Sequence, residues 1–204
     1  MINGQLRTSD VNEPDILAAF LAVSREKFVA PGQAPMAYAD SEVPASGPKG
    51  RKLLSPRTIG LLLKSVAPAA GERALVVGGG SGYCAALLAA MGMKVVALET
   101  DASAARAATA GVAGIENVEG ALNEPPPGKG PFDVIVLNGA FEVEPERLIS
   151  SLTEGGRLAG LSARSNAKRI VVFERSGAGI SQRSPFDAAG DLLPGFARAP
   201  DFAF

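Results

Sequence analysis

The sequence predicts an α/β fold built on a Rossmann-like, mostly parallel sheet, and three features of the stretch Ala74–Asp101 indicate it. The apolar run Ala74–Val77 is too short for a helix and rich in β-branched residues, which is typical of a buried strand. A glycine-rich break then leads into Tyr83–Met93, where Ala, Leu and Met favour a helix. A second apolar run, Val95–Leu98, ends in Glu99 and completes a strand–loop–helix–strand unit.

The glycines after the first strand are spaced for a nucleotide-like ligand that has no pyrophosphate. Gly78, Gly80 and Gly82 form the pattern G-x-G-x-G. The dinucleotide pattern G-x-G-x-x-G, started at Gly78, would need a glycine where Tyr83 stands, and no G-K-[ST] sequence follows. The observed pattern resembles the first motif of S-adenosylmethionine-dependent methyltransferases. A tight glycine turn in an unrelated α/β protein is the alternative.

Glu99 strengthens the methyltransferase interpretation. It lies about twenty residues after Gly78, at the tip of the second strand, where an acid can accept hydrogen bonds from both ribose hydroxyls. Glycines let the backbone approach a ligand closely, and the start of the next helix offers unpaired N–H groups. The resemblance implies a seven-stranded methyltransferase sheet with helices on both faces. It also implies cofactor contacts from Gly78, Gly79, Gly80, Ser81, Gly82, Glu99 and Thr100.

Composition narrows the class of protein. The chain has 204 residues, of which 47% are hydrophobic and 20% charged, so it can bury a sizeable core as one domain. Its net charge of −1 argues against broad binding to nucleic acid or to an anionic membrane. No apolar run approaches the roughly 20 residues that span a bilayer, and the first residues lack a signal-peptide core. The single Cys84 suggests a reducing cytoplasm.

The sequence contains no histidine. Histidine-based metal sites and Ser–His or Cys–His dyads are therefore excluded, and we predict no metal site. Methyl transfer from a sulfonium needs neither a metal nor a strong base, because the cofactor carries the reactivity and the protein supplies alignment.

The N-terminal third is predicted to be helical. Asp10 or Asn12 can cap a helix over Pro14–Val23, which has an apolar face. Ser55 is placed to cap a second helix that starts at Pro56 and ends near Pro68. We expect residues 1–68 to form an N-terminal helical, substrate-side extension and residues 69–204 to form the cofactor-binding sheet of the same domain.

This N-terminal region resembles that of protein-L-isoaspartate O-methyltransferases, in motif order as well as in residue type. The matching motifs are Gln5-Leu6-Arg7, Ile16-Leu17, Arg25-Glu26-Lys27-Phe28-Val29 and Ala37-Tyr38-Ala39-Asp40. Further on, Pro131–Ala140 resembles the family's P-F-D-x-I-x-V-x-x-A strand. The resemblance covers about residues 1–175. It implies S-adenosylmethionine as cofactor, S-adenosylhomocysteine as product, and an isoaspartyl-containing protein or peptide as substrate. The methyl ester of the isoaspartyl carboxylate then collapses to a succinimide, whose hydrolysis repairs part of the protein.

The loop Gly50–Pro56 departs from the family's G-Q-T-I-S-x-P pattern. Leu54 stands at the serine position and Lys52 at the threonine position, and a leucine cannot donate a hydrogen bond to the substrate carboxylate. Ser55, the nearest hydroxyl, is the candidate catalytic residue. Otherwise Arg51 and Lys52 bind the carboxylate, or the activity is weak or lost. The alternative is that Ser55 only caps the helix and has no catalytic role.

The cofactor-binding part of the sequence also departs from the family pattern. Val76 stands where this fold usually has an acid, and Ala121 stands where the family has an acid on the adenine side. Each missing partner costs about 1–3 kcal/mol, so cofactor affinity should fall by roughly 10–10⁴-fold. The resemblance still assigns Ala121, Leu122 and Asn138 to the cofactor side, and Asn123 could serve an adenine edge from a shifted loop.

The C-terminal part predicts an antiparallel strand over Lys168–Glu174 and a hairpin partner over Ser181–Phe186. The tail carries Phe196, Phe202 and Phe204, and we expect these aromatic side chains to dock on their own domain rather than on a partner.

Three functions remain open at this point. The first is isoaspartyl methylation by a divergent, cytoplasmic enzyme that is a monomer or homodimer. The second is a non-catalytic or regulatory homologue that keeps the fold, which the altered loop and the lost acids favour. The third is methyl transfer to another substrate.

Overall fold

A seven-stranded sheet forms the centre of the computed structural model, which describes residues 1–165 and 167–199. A separate two-stranded sheet joins β1 (Val43–Pro44) to β2 (Lys52–Leu53) in antiparallel register. The strands of the large sheet are β3 (Arg73–Val77), β4 (Lys94–Glu99), β5 (Ile115–Glu119), β6 (Phe132–Phe141), β7 (Leu152–Ser162), β8 (Arg169–Ser176) and β9 (Gly179–Asp187).

The order in the large sheet is β5-β4-β3-β6-β7-β8-β9. Strands β3 to β7 run parallel, and β8 and β9 add an antiparallel hairpin at one edge, as the sequence predicts. The strand order reverses between β3 and β6. In open parallel sheets a ligand binds beyond the carboxyl ends of the strands at such a switch point.

Both faces of the sheet are buried, because β3 alternates its side chains between two apolar clusters. Ala74 and Val76 pack with the helices of the N-terminal half, while Leu75 and Val77 face the opposite cluster. The helices are α1 (Pro14–Ala22), α2 (Pro56–Val66), α3 (Tyr83–Ala90), α4 (Ser103–Ala108) and α5 (Glu146–Ser150). The predicted sheet with helices on both faces and an N-terminal helical extension is therefore confirmed.

The N-terminal helix begins differently from the prediction. Its N-cap is Glu13, and no side chain caps it. Asp10 has a left-handed φ of +62° and pairs instead with Lys64, 2.7 Å away on α2. Single turns of other helical types surround α1, over Ile2–Leu6, Arg7–Ser9, Arg25–Phe28 and Ala34–Met36.

The β1–β2 hairpin brings its loop against the glycine turn that follows β3. The Ala45 amide donates to the Arg51 carbonyl at 3.0 Å, which closes the loop. A Cβ atom at Gly47 would lie 3.4 Å from the Gly80 backbone. Residues 46–51 therefore lie directly over the switch point.

The segment after β9 returns to the same place. Its backbone pairs with the end of β6: the Ala140 amide donates to the Asp191 carbonyl at 2.8 Å, and the Leu193 amide donates to the Ala140 carbonyl at 2.9 Å. Leu193 and Phe196 are buried. The prediction that Phe196 docks on its own domain is confirmed, while Phe202 and Phe204 lie outside the described residues.

Across residues 1–165 and 167–199, the helices are all too short or too polar to traverse a bilayer.

Candidate active site

A cavity of about 260 Å³ opens at the switch point between β3 and β6. Its wall comes from the loop after β1, from Gly78 and Thr100 at the ends of β3 and β4, and from Asn138 on β6. The segment after β9 closes the remaining side with Asp191. Cavities that hold drug-sized ligands usually measure about 300–1,000 Å³, so this one is small for an adenosyl compound.

The glycine turn after β3 needs glycine where it faces the cavity. Gly78 has a φ of +69°, a left-handed conformation that other residues adopt only with strain. A Cβ atom there would lie 2.5 Å from Leu193 Cδ2 and 3.1 Å from Arg51 Nη2. Gly78 therefore lets two distant parts of the chain approach the turn.

The other residues of the predicted glycine motif have different neighbours. A Cβ at Gly80 would face Ala45 and Arg51, and one at Gly79 would face Val76. Gly82, by contrast, packs against Thr109 near the end of α4. Ser81 is buried, and its hydroxyl has no hydrogen-bond partner within the described residues.

Glu99 lies at the carboxyl end of β4, where the sequence places it, and only 2% of its side chain is exposed. Its Oε2 accepts from the Gly80 amide at 3.0 Å, and its Oε1 accepts from the Thr100 amide at 2.8 Å and from the Thr100 hydroxyl at 3.1 Å. The Glu99 side chain thus links the glycine turn after β3 to the end of β4 through bonds within the chain.

Arg51 forms an ion pair with Glu99. Its Nη2 donates to Oε1 at 2.9 Å and to Oε2 at 3.1 Å, and only 12% of the Arg51 side chain is exposed. Little water screens this pair, so the charges attract more strongly than a surface pair does. The carboxylate that should receive the ribose hydroxyls is already bound by the chain's own guanidinium.

Lys52, the second cation of the loop, is also paired. Its Nζ lies 2.9 Å from Asp191 and 3.7 Å from Glu42. Hydrogen bonding to Asp191 raises the pKa of Lys52, and burial, helped by the nearby Asp191, raises the pKa of Glu42. In this arrangement both cations of the loop are paired with carboxylates of the chain itself, and their role as ligands of a substrate carboxylate stays a prediction.

Ser55 caps α2. Its Oγ accepts from the Thr58 amide at 3.1 Å and donates to the Thr58 hydroxyl at 3.0 Å. Leu54 beside it is buried, and its carbonyl accepts from Arg25 at 2.7 Å. The structure therefore places the candidate hydroxyl in the cap, and its catalytic role stays a prediction.

We expect Ser55→Ala to lower the free energy of unfolding by about 1 kcal/mol, because the Thr58 amide loses its acceptor. Ser55→Asp should keep the stability, since an aspartate oxygen can accept the same bond. Urea unfolding measures both changes, with Ser181→Ala on the exposed strand β9 as the matched control. An unchanged midpoint in Ser55→Ala would contradict the capping role.

The residues at the family's adenine side are apolar or point to solvent. Ala121 is exposed, and Leu122 is buried in the cluster that includes Leu193 and Phe196. A Cβ atom at Gly195 would lie 3.4 Å from the side chain of Asn123. The C-terminal segment thus reaches the loop predicted to contact adenine.

Asn138 lines the cavity and keeps spare hydrogen-bonding capacity. Its Nδ2 donates to the Gly78 carbonyl at 3.2 Å, and its buried Oδ1 has no partner within the described residues. Val76, at the site of the missing acid, is fully buried in the core. No cluster of three or more His, Cys, Asp or Glu that could hold a metal occurs in the described residues.

These contacts test the fit of an adenosyl cofactor. Asn138 offers a free acceptor that suits its ammonium group, but Arg51 holds Glu99 and Leu193 covers Gly78. The residue types fit the cofactor, but in this arrangement Arg51 occupies the carboxylate that would accept the ribose hydroxyls, and displacement of Arg51 would expose it.

The sequence profile of the family Protein-L-isoaspartate(D-aspartate) O-methyltransferase matches residues 1–188. The chain belongs to this family. It is 36% identical over 163 residues to the protein-L-isoaspartate O-methyltransferase of Methylorubrum populi, a match that covers 78% of this chain and 76% of that one. It is 32% identical over 192 residues to the Koribacter versatilis enzyme of the same name, covering 92% and 85%.

Solved structures agree on the fold. A protein-L-isoaspartate O-methyltransferase structure superposes with a TM-score of 0.82 at 23% identity, and the match covers 93% of this chain and 64% of that one. The present chain therefore spans a little under two thirds of that protein. A Plasmodium falciparum structure, described as a protein-L-isoaspartate O-methyltransferase in complex with S-adenosyl-L-homocysteine, gives 0.78 at 21% identity and covers 92% and 94%. The predicted methyltransferase fold is confirmed.

Sequence reasoning missed three parts of this site. The loop sequence makes Arg51 one possible ligand of the substrate carboxylate, but it does not predict the ion pair of Arg51 with Glu99. Nothing in the sequence predicts that Leu193 and Asp191 lie at the cavity, since neither residue belongs to a periodic pattern or to a family motif. The excess of positive charge in the loop Gly50–Pro56 was the only sign that buried or nearby acids would be needed to balance it.

Proposed function

We propose that the protein transfers the methyl group of S-adenosylmethionine to the side-chain carboxylate of isoaspartyl residues in proteins or peptides, as the names of its relatives state for them. The match of the family profile to residues 1–188 carries this proposal. Glu99 and Gly78, at the ends of adjacent strands β4 and β3, support it.

The residues of the chain suit a carboxylate nucleophile. A carboxyl group is ionised at neutral pH, so no general base is needed, and the described cavity contains none of the usual dyads. Arg25 holds the Leu54 carbonyl, which keeps the loop at the cavity wall. Gly78, Glu99, Thr100 and Asn138 are the residues that would hold the cofactor once Arg51 has left.

The proposal is tested by methylation of a synthetic isoaspartyl peptide at saturating S-adenosylmethionine, with the same peptide containing ordinary aspartate as control. We expect slow but measurable methylation of the isoaspartyl peptide alone. Leu54→Ser should raise the rate, because it restores a donor hydroxyl at the cavity.

Leu53→Ser is the matched control for this variant. Leu53 is as buried as Leu54, so its replacement removes the same apolar group without placing a hydroxyl on the cavity wall. No turnover by the natural chain, together with no gain in Leu54→Ser, would contradict the proposed activity.

We keep a second candidate, a non-catalytic or regulatory homologue. Two observations favour it. Arg51 binds both oxygens of Glu99, and Leu54 has no hydroxyl to offer a substrate. Binding of S-adenosylhomocysteine without any methylation, in the natural chain and in Leu54→Ser, would select this candidate. Turnover on a different carboxylate or amine substrate would instead select the third function, methyl transfer to another substrate.

We also propose the finer features that accompany the activity. Residues 1–68 serve the substrate side and residues 69–204 the cofactor side of one domain. The net charge of −1 supports a protein or peptide substrate without nucleic acid or membrane, and the single Cys84 supports a cytoplasmic location. The chain acts as a monomer or homodimer.

A further inference from the structure

We infer that Arg51 and the C-terminal segment 191–196 form a latch over the cofactor cleft, so that an adenosyl ligand binds only after Arg51 leaves Glu99. This inference rests on the proposed function, since it concerns the cofactor site of that function. It adds a control of access that comes from residues of this chain, at a loop position where the family pattern differs.

The first part of the latch is the guanidinium of Arg51. Its Nη2 lies 2.9 Å and 3.1 Å from the two oxygens of Glu99, so one donor group bridges the carboxylate. A ribose diol would approach the same oxygens with two hydroxyl donors. Glu99 also accepts from the Gly80 and Thr100 amides, which leaves no room on its oxygens for both partners. Arg51 and a ribose therefore compete for one acceptor.

The second part is Leu193. Its side chain lies against two glycines, since a Cβ atom would be 2.5 Å away from it at Gly78 and 2.7 Å away at Gly139. Further along, Gly195 approaches Asn123, and Phe196 packs in the same cluster as Leu122. The segment thus extends along the cleft from the first glycine of the motif to the loop on the adenine side.

The two parts are joined by the ion pair of Lys52 with Asp191. The distance is 2.9 Å, and 43% and 54% of the two side chains are exposed. Exposed pairs contribute only about 0–1 kcal/mol, so this link can break at little cost. The buried pair of Arg51 with Glu99 is the stronger contact, and we assign it the control of opening.

A closed majority conformation lowers the apparent affinity of a ligand by the fraction of molecules that are open. If about one molecule in a hundred is open, the apparent Kd is about a hundredfold higher than that of the open form. Removing the Arg51 side chain eliminates the competitor while Glu99 keeps its bonds to Gly80 and Thr100. The variant should therefore fold and should bind more tightly.

Isothermal titration calorimetry with S-adenosylhomocysteine tests the latch, because this probe is not turned over. We expect Arg51→Ala to lower the Kd at least about tenfold relative to the natural chain. Asp191→Asn, which weakens only the exposed link, should lower the Kd by a smaller factor. Arg106→Ala is the matched control: Arg106 is exposed on α4 and pairs with Glu119 at 2.7 Å, outside the cavity, so its loss should leave the Kd unchanged.

Three results would overturn the inference. Equal, tight binding by the natural chain and Arg51→Ala would do so and would leave the proposed function intact. Weaker binding by Arg51→Ala would make Arg51 a ligand contact instead of a competitor. A failure of both proteins to bind would mean that removing Arg51 exposes no site. Tighter binding by Arg51→Ala without isoaspartyl methylation would support the latch and contradict only the proposed activity.

Discussion

Replacing Glu99 by alanine is expected to lower the free energy of unfolding by about 3 kcal/mol. It should also raise the Kd for S-adenosylhomocysteine at least about a hundredfold relative to Arg51→Ala, in which the latch is open as well. The stability loss follows because Arg51, with 12% of its side chain exposed, is left as a buried charge without its partner. The affinity loss follows because two hydroxyl bonds to a charged acceptor contribute about 1.5–3 kcal/mol each.

Urea unfolding and calorimetry measure the two effects separately. Glu119→Ala is the control for stability: Glu119 pairs with Arg106, and 48% of its side chain is exposed, so its loss should change the free energy of unfolding by less than about 1 kcal/mol. Adding Arg51→Ala to the Glu99→Ala variant should cost no further stability and should restore part of it, since the unpaired charge is gone.

The signs of the two affinity changes are what separate the roles. Arg51→Ala should bind more tightly than the natural chain, and Glu99→Ala should bind more weakly than Arg51→Ala, although both variants break the same ion pair. If Glu99→Ala bound S-adenosylhomocysteine as tightly as Arg51→Ala, the assignment of Glu99 to the ribose would be wrong. If both variants bound equally well, and more tightly than the natural chain, the pair would serve only to close the cleft.

The cofactor half of the fold could be predicted because its signals are local. The strand before Gly78, the turn and the helix after it follow from composition and spacing within about thirty residues. The dipeptide Ser55-Pro56 likewise predicts that Ser55 caps α2. Each of these depends on neighbours in sequence, which a single chain displays directly.

Element lengths were predicted less well, and α4 shows why. The composition of Ala102–Val112 favours a helix throughout, but α4 spans only Ser103–Ala108. The Thr109 hydroxyl donates back to the Ala105 carbonyl at 2.7 Å, and Gly111 adopts a φ of +80°. Gly111 prevents the helix from continuing to Val112, because a residue in the left-handed conformation cannot extend it.

The latch could not be predicted, because its contacts join residues far apart in the chain. Arg51 and Glu99 are separated by 48 positions, and Lys52 meets Asp191 only because two loops return to the same edge of the sheet. Such contacts leave no periodic pattern. The aromatic content of the tail predicted that Phe196 would dock, but not that Leu193 would reach Gly78.

The buried arginine Arg25 supports the loop that carries Leu54 and Ser55. None of its side chain is exposed, its Nε donates to the Ala37 carbonyl at 2.6 Å and its Nη2 donates to the Leu54 carbonyl at 2.7 Å. The guanidinium carbon also lies 5.0 Å from the centre of the Tyr83 ring, which favours a cation. Burial lowers the pKa of Arg25, so these contacts are what keep the charged form in place.

Arg25→Met is expected to lower the free energy of unfolding by about 3 kcal/mol or more, because two buried carbonyls lose their donors at about 1–3 kcal/mol each. Arg25→Lys should recover less than half of the loss, since one ammonium cannot reproduce the geometry of two guanidinium nitrogens. Urea unfolding gives the values, with Arg106→Met on the exposed face of α4 as the matched control. Because Arg25 fixes the Leu54 carbonyl, the methylation rate should also fall in Arg25→Lys at temperatures where that variant remains folded. An unfolding midpoint for Arg25→Met equal to that of Arg106→Met would show that the loop is held by other contacts.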